Sequence, residues 1–469
     1  MPPLRKSLFD VPPRILPVLD PAFRPLALGV RNYRRELAAH GRSERLCIAL
    51  EQAPDALTRR DIEVFPEEAG RGEDDLRYAS WILNFLIWAR GGWRVFLQGP
   101  SRLCEALAAE YAPGGAHDFD ARLMAQAFAR PFEVTVVAPS GLPEAQAKPL
   151  TLGGHLEGCR IGFDLGASDY KVAAVQDGEP VFSTEIPWDP RNQPDPAYHY
   201  DRIREGLELA ASHLPRVDAI GGSSAGILVE NHVRVASLFR AVPEDLFREK
   251  VETLFPRLQQ AWGVPLEVIN DGDVTALAGA LSLDLTGILG IAMGSSEAVG
   301  FLDRAGRITG WLNELAFAPI DANPDAGTDD WSGNPGIGAA YFSQQAVNRL
   351  APAAGIPLPA EMGLPERLKL VQARMAEGDS AARAVFESIG VYLGYTLPWY
   401  EEFYELDHAM ILGRVTSGAG GDVILERAKE VLASEFPEVA GRVSLFLPDE
   451  KSRRVGQAVA AASLPPARG

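Results

Sequence analysis

The residues best suited to chemistry in this chain are acidic and stand at the ends of predicted strands. Asp164 closes an alternating apolar run that begins at Arg160, and Gly166, Ala167 and Ser168 follow before β-branched alternation resumes at Val172. This pattern predicts a strand, a tight turn and a second strand. The N–H groups and hydroxyl of such a turn can face an anion, and a carboxylate beside them is unfavourable unless it binds a metal ion held by phosphate. The alternative is an ordinary β-hairpin with an acidic turn.

A second acidic group follows a buried strand later in the chain. The run 266–269 predicts the strand, and Asn270-Asp271-Gly272-Asp273 separates it from a helix of small residues, 274–281. Polar groups at the carboxyl end of a strand in an open α/β sheet are placed for ligand binding. Asp271 is therefore a candidate for chemistry at this edge. The alternative is that this run only caps the helix.

Further loops of small residues follow other predicted strands. The loop 221–226 is interpreted as a substrate-side loop, and a second phosphate-type turn follows the strand 287–293. A third glycine-rich turn joins the strand 410–413 to the helix 422–433. The candidate residues in and just after these loops are Ser224, Gly226, Glu230, Asn231, Gly294, Ser295, Ser296, Gly413, Gly418, Gly420 and Gly421.

The predicted elements that position these turns divide the chain into four parts. A proline- and arginine-rich stretch, 1–45, is predicted to be an extended arm, and 46–150 a small α/β accessory domain. A linker, 139–158, leads to two lobes, 156–285 and 286–469. The first lobe is predicted to run β-β-β-α-β from Arg160 and to contain a helix at 244–262. The second lobe is predicted to end with a helix near 454–462.

The composition excludes several classes of function. The net charge of −18 argues against nucleic acid as the main partner, and residues 1–150 hold 19 basic and 19 acidic residues, so all of that charge lies beyond them. Three cysteines without a Cys-x-x-Cys pair indicate neither a disulfide framework nor a zinc cluster. No signal-peptide pattern or long apolar run is present. We therefore expect a cytoplasmic protein without a membrane span.

The order of three glycine-rich turns around an Asn-Asp pair resembles the actin-like ATPase fold of sugar kinases. Within it, residues 158–463 are most similar to the ROK family of bacterial sugar kinases, repressors and related proteins. The resemblance implies an α/β, two-lobed, ribonuclease-H-like fold with an extra N-terminal α/β module, binding a sugar, ATP and Mg²⁺; it also allows a homodimer. It implies that Asp271 is the general base and that Asn270 and Glu314 bind the sugar, although Glu314 could equally be a solvated loop residue.

The same resemblance implies roles for the glycine-rich turns. Asp164 to Ser168, with Lys171 beside them, resemble the phosphate-1 turn, with Asp164 holding Mg²⁺ through phosphate. Gly294 to Ser296 resemble the phosphate-2 turn. Gly413 with Ser417 to Gly421 resemble the adenosine turn.

Several positions depart from the family pattern. Phe317 replaces the histidine of the ROK zinc site, and Asp330, Ser332 and Ile337 stand where thiolates would be, so we expect no zinc. Asp169 and Glu297 place carboxylates beside the phosphate turns, where each would repel ATP unless held outward or bound to Mg²⁺. Two functions remain open: ATP-dependent phosphorylation of a sugar hydroxyl, or a non-catalytic sugar-binding or scaffold protein that has kept the fold.

Overall fold

The computed structural model describes residues 7–53, 56–146, 152–448 and 456–466. The first six residues of the predicted arm, residues 147–151 of the predicted linker and the start of the predicted last helix lie outside these ranges. Within them the chain forms an N-terminal module and two lobes, each built on its own sheet.

The N-terminal module is a four-stranded sheet flanked by helices. Its strand order is β2-β1-β3-β4, with β1 antiparallel to both β2 and β3. The elements are α1 (Leu26–His40), β1 (Glu44–Ala53), β2 (Ala56–Val64), α2 (Gly72–Arg90), β3 (Arg94–Gln98), α3 (Ser101–Glu110), α4 (Asp118–Phe128) and β4 (Glu133–Val136).

The prediction of an extended arm is wrong for residues 26–40, which form α1. Leu26, Val30, Tyr33 and Leu37 recur at helical spacing and are all buried. Proline at position 25 does not oppose the helix, because an N–H at the N-cap would have no acceptor within the helix and its loss therefore breaks no helical hydrogen bond. The arginines between these apolar residues and the prolines before them favour an extended arm when the stretch is interpreted by composition, so the helical spacing is not recognised.

Lobe 1 contains a five-stranded sheet of order β11-β8-β5-β6-β7, and the predicted β-β-β-α-β order is confirmed. Its elements are β5 (Cys159–Leu165), β6 (Asp169–Gln176), β7 (Glu179–Pro187), α5 (Pro196–Ala211), β8 (Ala219–Ser224), β9 (Ile227–Val229), β10 (His232–Val235), α6 (Glu244–Leu246), α7 (Leu254–Trp262), β11 (Leu266–Asn270) and α8 (Asp271–Leu283). The single helix predicted at 244–262 is instead α6, a π-helical turn and α7. Pro256 lacks the N–H that would bond back to residue 252, so the helix restarts just before it.

Lobe 2 contains a four-stranded sheet of order β13-β12-β14-β15 and a layer of helices dominated by α11 and α12. Its elements are β12 (Ile288–Met293), β13 (Glu297–Leu302), α9 (Gln344–Ala353), α10 (Leu364–Ala376), α11 (Ser380–Glu401), β14 (His408–Leu412), α12 (Ala419–Glu435), α13 (Pro437–Ala440) and β15 (Ser444–Phe446), followed by α14 (Gln457–Ala462).

The last helix, α14, returns to lobe 1 and packs on its sheet, so the predicted second lobe does not hold all of 286–469. A Cβ at Gly162 would lie 1.6 Å from Ala458 O, and a Cβ at Gly221 would lie 1.7 Å from Ala461 O. Only glycine at these two strand positions lets the helix backbone approach the sheet so closely.

The N-terminal module and lobe 2 share one hydrophobic core. Phe85 of α2 stacks on Phe403 with centroids 4.0 Å apart and meets Trp399 of α11 edge-on at 5.5 Å. Trp88, one turn further along α2, packs on Phe317 at 4.5 Å. The predicted accessory region is therefore continuous with lobe 2 rather than a body with its own core.

Candidate functional site

Three parallel strands of lobe 1 end in one row and bring the predicted site residues together. In the registers of β5, β8 and β11, Leu165 pairs with Ser224, which pairs in turn with Asn270. The turn after Asp164, the loop after Ser224 and the start of α8 therefore meet at the carboxyl edge of the sheet. This is the edge where open α/β sheets bind ligands.

Asn270, and not Asp271, caps α8. Its Oδ1 accepts a hydrogen bond of 2.7 Å from the Gly272 N–H. The capping alternative thus accounts for Asn270 and leaves the Asp271 carboxyl available. Asp271 occupies the first helical position, where the positive end of the helix favours a carboxylate.

Asn270 also connects lobe 1 to the loop that carries Glu314. Its Nδ2 donates to Gly226 O at 2.9 Å and approaches Glu314 Oε1 at 3.4 Å. The Glu314 N–H donates to Trp88 O at 3.0 Å, so α2 of the N-terminal module fixes this loop. Asn270, Gly226 and Glu314 are therefore neighbours, as a common sugar site requires, and Glu314 is partly buried rather than a solvated loop residue.

Three carboxyl groups near this point have raised pKa values, and burial is the main cause for each. Burial raises the pKa of Asp271 to about 6, and the negative charge of Asp164 adds to the rise. Burial raises the pKa of Asp273 to about 7, although the Phe301 N–H and Asn313 Nδ2 hydrogen-bond its Oδ1 at 3.2 and 2.9 Å. Burial and then the charge of Asp271 raise the pKa of Glu314 to about 8. Burial thus favours the protonated form of all three groups, and such perturbed pKa values are common at functional sites.

The first turn presents small residues above a buried carboxyl group. Ala167 and Ser168 are exposed, whereas Asp164 is buried. Burial raises the pKa of Asp164; Lys171 Nζ, 3.8 Å from Oδ2, opposes this rise, and Asp169 adds to it. Asp169 accepts a hydrogen bond of 2.8 Å from Ser168 Oγ and is partly exposed at the turn. Its carboxylate thus does lie beside the predicted phosphate site.

The second and third turns lie side by side in lobe 2. Gly294 to Ser296 link β12 to β13, and β12 pairs in parallel with β14, which ends just before Gly413. Gly413 has φ +100°, and a Cβ there would lie 2.6 Å from Met293 O, so glycine is required. Ser295 and Ser296 are exposed.

Glu297 does not face the phosphate turns. Its carboxyl is buried in lobe 2, where Oε1 accepts a hydrogen bond of 3.2 Å from the Tyr400 hydroxyl of α11. Burial raises its pKa to about 8. Glu297 therefore does not place a carboxylate beside the phosphate turns, because the group points inward, where burial favours its protonated form.

Four of the candidate residues have structural contacts that account for them. A Cβ at Gly420 would lie 2.8 Å from the Phe386 ring, and one at Gly421 would lie 2.1 Å from Thr416 O, so both glycines pack α12. The Asn231 side chain donates to Leu266 O and accepts from the Val268 N–H, at 3.0 and 2.7 Å, which binds the β9–β10 turn to β11. Ser224 is buried within β8. We therefore assign these four residues to the scaffold. At Gly418, in contrast, no atom lies within 4 Å of the position that a Cβ would take.

The three turns expose small residues, and among the described residues no arrangement fits zinc. Exposed small residues in all three turns leave room for phosphates, and Asp164 with Ser168 supplies the oxygen donors that Mg²⁺ prefers. In the described ranges, no group of three or more His, Cys, Asp or Glu side chains is placed to hold a metal ion. Phe317 packs between Trp88 and Trp331, and Ile337 is buried, where zinc ligands would be needed. The absence of zinc stays a prediction.

A cavity of about 780 Å³ opens beside Asn270 and Glu314. Its walls come from the β1–β2 hairpin and α2 of the module, from β9 and β11 of lobe 1, and from residues 303–314 of lobe 2. Gly226, Glu230, Asp273 and Arg90 also line it. No sequence pattern indicates that Arg90 or the β1–β2 hairpin lies at the site. Their proximity to it depends on the core that the module shares with lobe 2. Asp273 is visible within the Asn-Asp-Gly-Asp run, but the pattern assigns it no role.

Comparison with solved structures confirms the predicted fold. A ROK family transcriptional regulator, described as a homolog of the E. coli MLC protein, superposes with a TM-score of 0.52 at 22% identity, covering 66% of this chain and 79% of that one. The ROK hexokinase from Thermus thermophilus gives a TM-score of 0.51 at 17% identity, covering 65% and 97%. No family model and no curated protein sequence matches this chain. The chain thus has the two-lobed α/β fold of ROK proteins, with about a third of its length outside the likeness. No helix in the described ranges is long and apolar enough to cross a membrane.

Proposed function

We propose that this protein phosphorylates a hydroxyl group of a sugar or related polyol at the expense of ATP, with Asp271 as general base. The observation that carries the proposal is the position of Asp271 at the carboxyl edge of the sheet, free of the capping role and with a pKa raised to about 6 by burial. A general base works best when its pKa lies just below the working pH. One of the two solved structures compared above is a hexokinase, which agrees with the proposal.

The carboxyl groups around the site are suited to different roles. At neutral pH Asp271 is mostly ionised and can accept a proton from a hydroxyl. Glu314, whose burial raises its pKa to about 8, is mostly protonated and can donate a hydrogen bond to a neighbouring hydroxyl. Asn270 holds Glu314 beside the base. Environments that separate the pKa values of adjacent acids are typical of sites that need both a donor and an acceptor.

The nucleotide would be held by the three turns. Exposed residues Ala167, Ser168, Ser295 and Ser296 would face the phosphates, Gly413 and Gly418 would face the adenosine, and Asp164 would hold Mg²⁺ through phosphate. Bound Mg²⁺ supplies positive charge against the charge that develops on the transferring phosphoryl group.

The substitution Asp271→Asn tests the proposal. We expect a loss of about 10² to 10⁴ in the rate of ADP formation with Mg-ATP and a hexose panel, with sugar affinity by isothermal titration nearly unchanged. The matched control is Asp284→Asn at the exposed C-terminal end of the same helix, where the backbone is left-handed and accepts asparagine. For the wild type, kcat/KM should rise with pH up to about 6 and then level off, as Asp271 ionises.

Near-normal turnover in Asp271→Asn would remove this residue from the mechanism. If the wild type binds sugars but not Mg-ATP, the proposal fails and the non-catalytic alternative stands. The observation that favours that alternative is the Asp169 carboxylate beside the first turn.

A further inference from the structure

The cavity beside the predicted sugar site has walls of two kinds. One part is polar and comes from the strand ends and the lobe 2 loop, with Asn270, Asp273 and Glu314. The rest is mainly apolar and includes Ala53, Ala56, Phe128, Ile227, Trp311 and Leu312. A polyol alone would satisfy only the first part.

The N-terminal module builds much of the apolar wall and holds it in place. Gln52 Nε2 donates to Arg90 O at 2.9 Å, which joins the β1–β2 hairpin to the end of α2, and Thr58 Oγ1 donates to Gln52 Oε1 at 2.9 Å. A Cβ at Gly91 would lie 2.8 Å from the Phe128 ring and 3.1 Å from Leu312 Cβ. The hairpin, α2, α4 and the lobe 2 loop thus converge on this wall.

The charges around the cavity disfavour an anionic ligand. Arg307 is bonded to Asp303 at 2.7 Å, and Arg59 to Asp61 at 3.2 Å. The Arg90 guanidinium lies 3.2 Å from the centroid of Trp311 and donates to Phe403 O. Arg307 and Arg59 are therefore paired with carboxylates, and Arg90 has a partner for Nη2 but none for the buried Nη1. The carboxyl groups of Glu230 and Glu267 line the same space.

The size of the cavity also exceeds what a monosaccharide needs. Its 780 Å³ equals the volume of roughly 26 liquid water molecules at about 30 Å³ each. A hexose has fewer than half as many non-hydrogen atoms. Drug-sized ligands typically occupy cavities of this volume and of this mixed character.

We propose that the substrate is a sugar with an uncharged apolar substituent, the sugar lying at Asn270 and Glu314 and the substituent against the wall made by the β1–β2 hairpin, Phe128 and Leu312. This inference rests on the proposed function, because it names the substrate class of the same site. The N-terminal module then has a function of its own, since it completes the substrate cavity and sets its specificity.

Calorimetric titration with matched sugar pairs tests the inference. The probes are the methyl and hexyl glycosides of glucose and of mannose, and N-acetyl and N-hexanoyl glucosamine. Burial of each additional methylene is worth about a fourfold gain in affinity, so at least about tenfold tighter binding of the longer member is expected in one series. The variants Ala56→Trp and Ala53→Trp, at paired positions of the hairpin, fill the apolar part. They should abolish the gain and leave the short member unaffected.

The control Val181→Trp introduces the same side chain at an exposed position of β7 and should keep the gain. Two filling variants are used because circular dichroism identifies a variant that fails to fold, and the other variant then still tests the inference. Equal affinity of the short and long members overturns the inference and leaves the proposed function intact. So does a gain that persists in the folded filling variants, because the substituent would then lie elsewhere. Absence of binding by both members of every series rejects the proposed function and this inference with it.

Discussion

The substitution Glu297→Gln should stabilise the protein, and increasingly so as the pH rises. Glu297 is 3% exposed, and burial raises its pKa from an ordinary 4.5 to about 8. Between these two values the folded protein keeps a proton that the unfolded chain releases. The wild type therefore loses stability as the pH rises from about 4.5 to about 8, by about 1.4 kcal/mol per pH unit. Below 4.5 the group imposes no such cost.

The magnitude follows from that window. At pH 7 the accumulated cost is about 3 kcal/mol and at pH 5 about 1 kcal/mol. Glutamine keeps the oxygen that accepts the Tyr400 hydrogen bond and removes the ionisation. We therefore expect Glu297→Gln to gain about 3 kcal/mol over the wild type at pH 7 and little at pH 4.5, less any cost of burying the amide.

Urea unfolding followed by tryptophan fluorescence at pH 4.5, 5.5, 6.5 and 7.5 measures this difference. The control is Glu438→Gln, an exposed residue of α13, which should show no pH-dependent gain. The reasoning is refuted if the gain of Glu297→Gln is the same at every pH. It is refuted equally if the variant is the less stable protein at pH 7.5, because the carboxylate would then be ionised and stabilised in the fold.

Three further predictions concern the phosphate turn, the lobe contact and zinc. Asp169→Asn should tighten Mg-ATP, since repulsion at about 4 Å is worth roughly 1 to 4 kcal/mol between water and an intermediate dielectric; titration calorimetry that shows unchanged or weaker binding would mean that Asp169 helps to hold Mg²⁺. Gly221→Val should cost several kcal/mol of stability, because its Cβ would overlap Ala461 O of α14. Gly441→Ala, where the nearest atom is 3.4 Å away, is its control, and equal urea midpoints would contradict the packing. Elemental analysis should find no stoichiometric zinc; one zinc per chain would show that the 330–337 loop is wrongly matched to the family pattern.

Local pattern was enough to predict the parts of the site that depend on strand ends. The turn after Asp164 and the Asn270–Asp271 pair were predictable because alternation, small residues and a following helix are properties of a few neighbouring residues. The pairing of β5, β8 and β11 then brings them together. The family resemblance, and not the local pattern, implied that Asn270 and Glu314 serve the same sugar site, since 44 residues separate them.

What the sequence could not predict depends on contacts between distant segments. Glu297 faces inward, where it accepts a hydrogen bond from Tyr400 of α11, 103 residues later in the chain. Residues 26–40 form a helix whose apolar face packs on α11 of lobe 2 and on Phe65 and Tyr78 of the module, and a proline- and arginine-rich composition does not indicate these contacts. Glycines 420 and 421 pack closely against Phe386 and Thr416 O, and a glycine-rich pattern does not distinguish such packing from nucleotide binding.

The core shared by the N-terminal module and lobe 2 argues against a detachable module. Removal of α2 would uncover Phe317, Trp399 and Phe403, a contiguous aromatic surface of a kind that soluble proteins rarely expose. Contact with lobe 1 is slighter, through α4 against the β9–β10 hairpin and one hydrogen bond of 3.2 Å from Gln126 to Arg234 O. The module is thus part of lobe 2, and its α2 fixes the Glu314 loop through Trp88 O. Because Glu314 and the cavity wall are held by the same helix, a change in the module's packing acts directly on the site, which a separate partner-binding domain would not do.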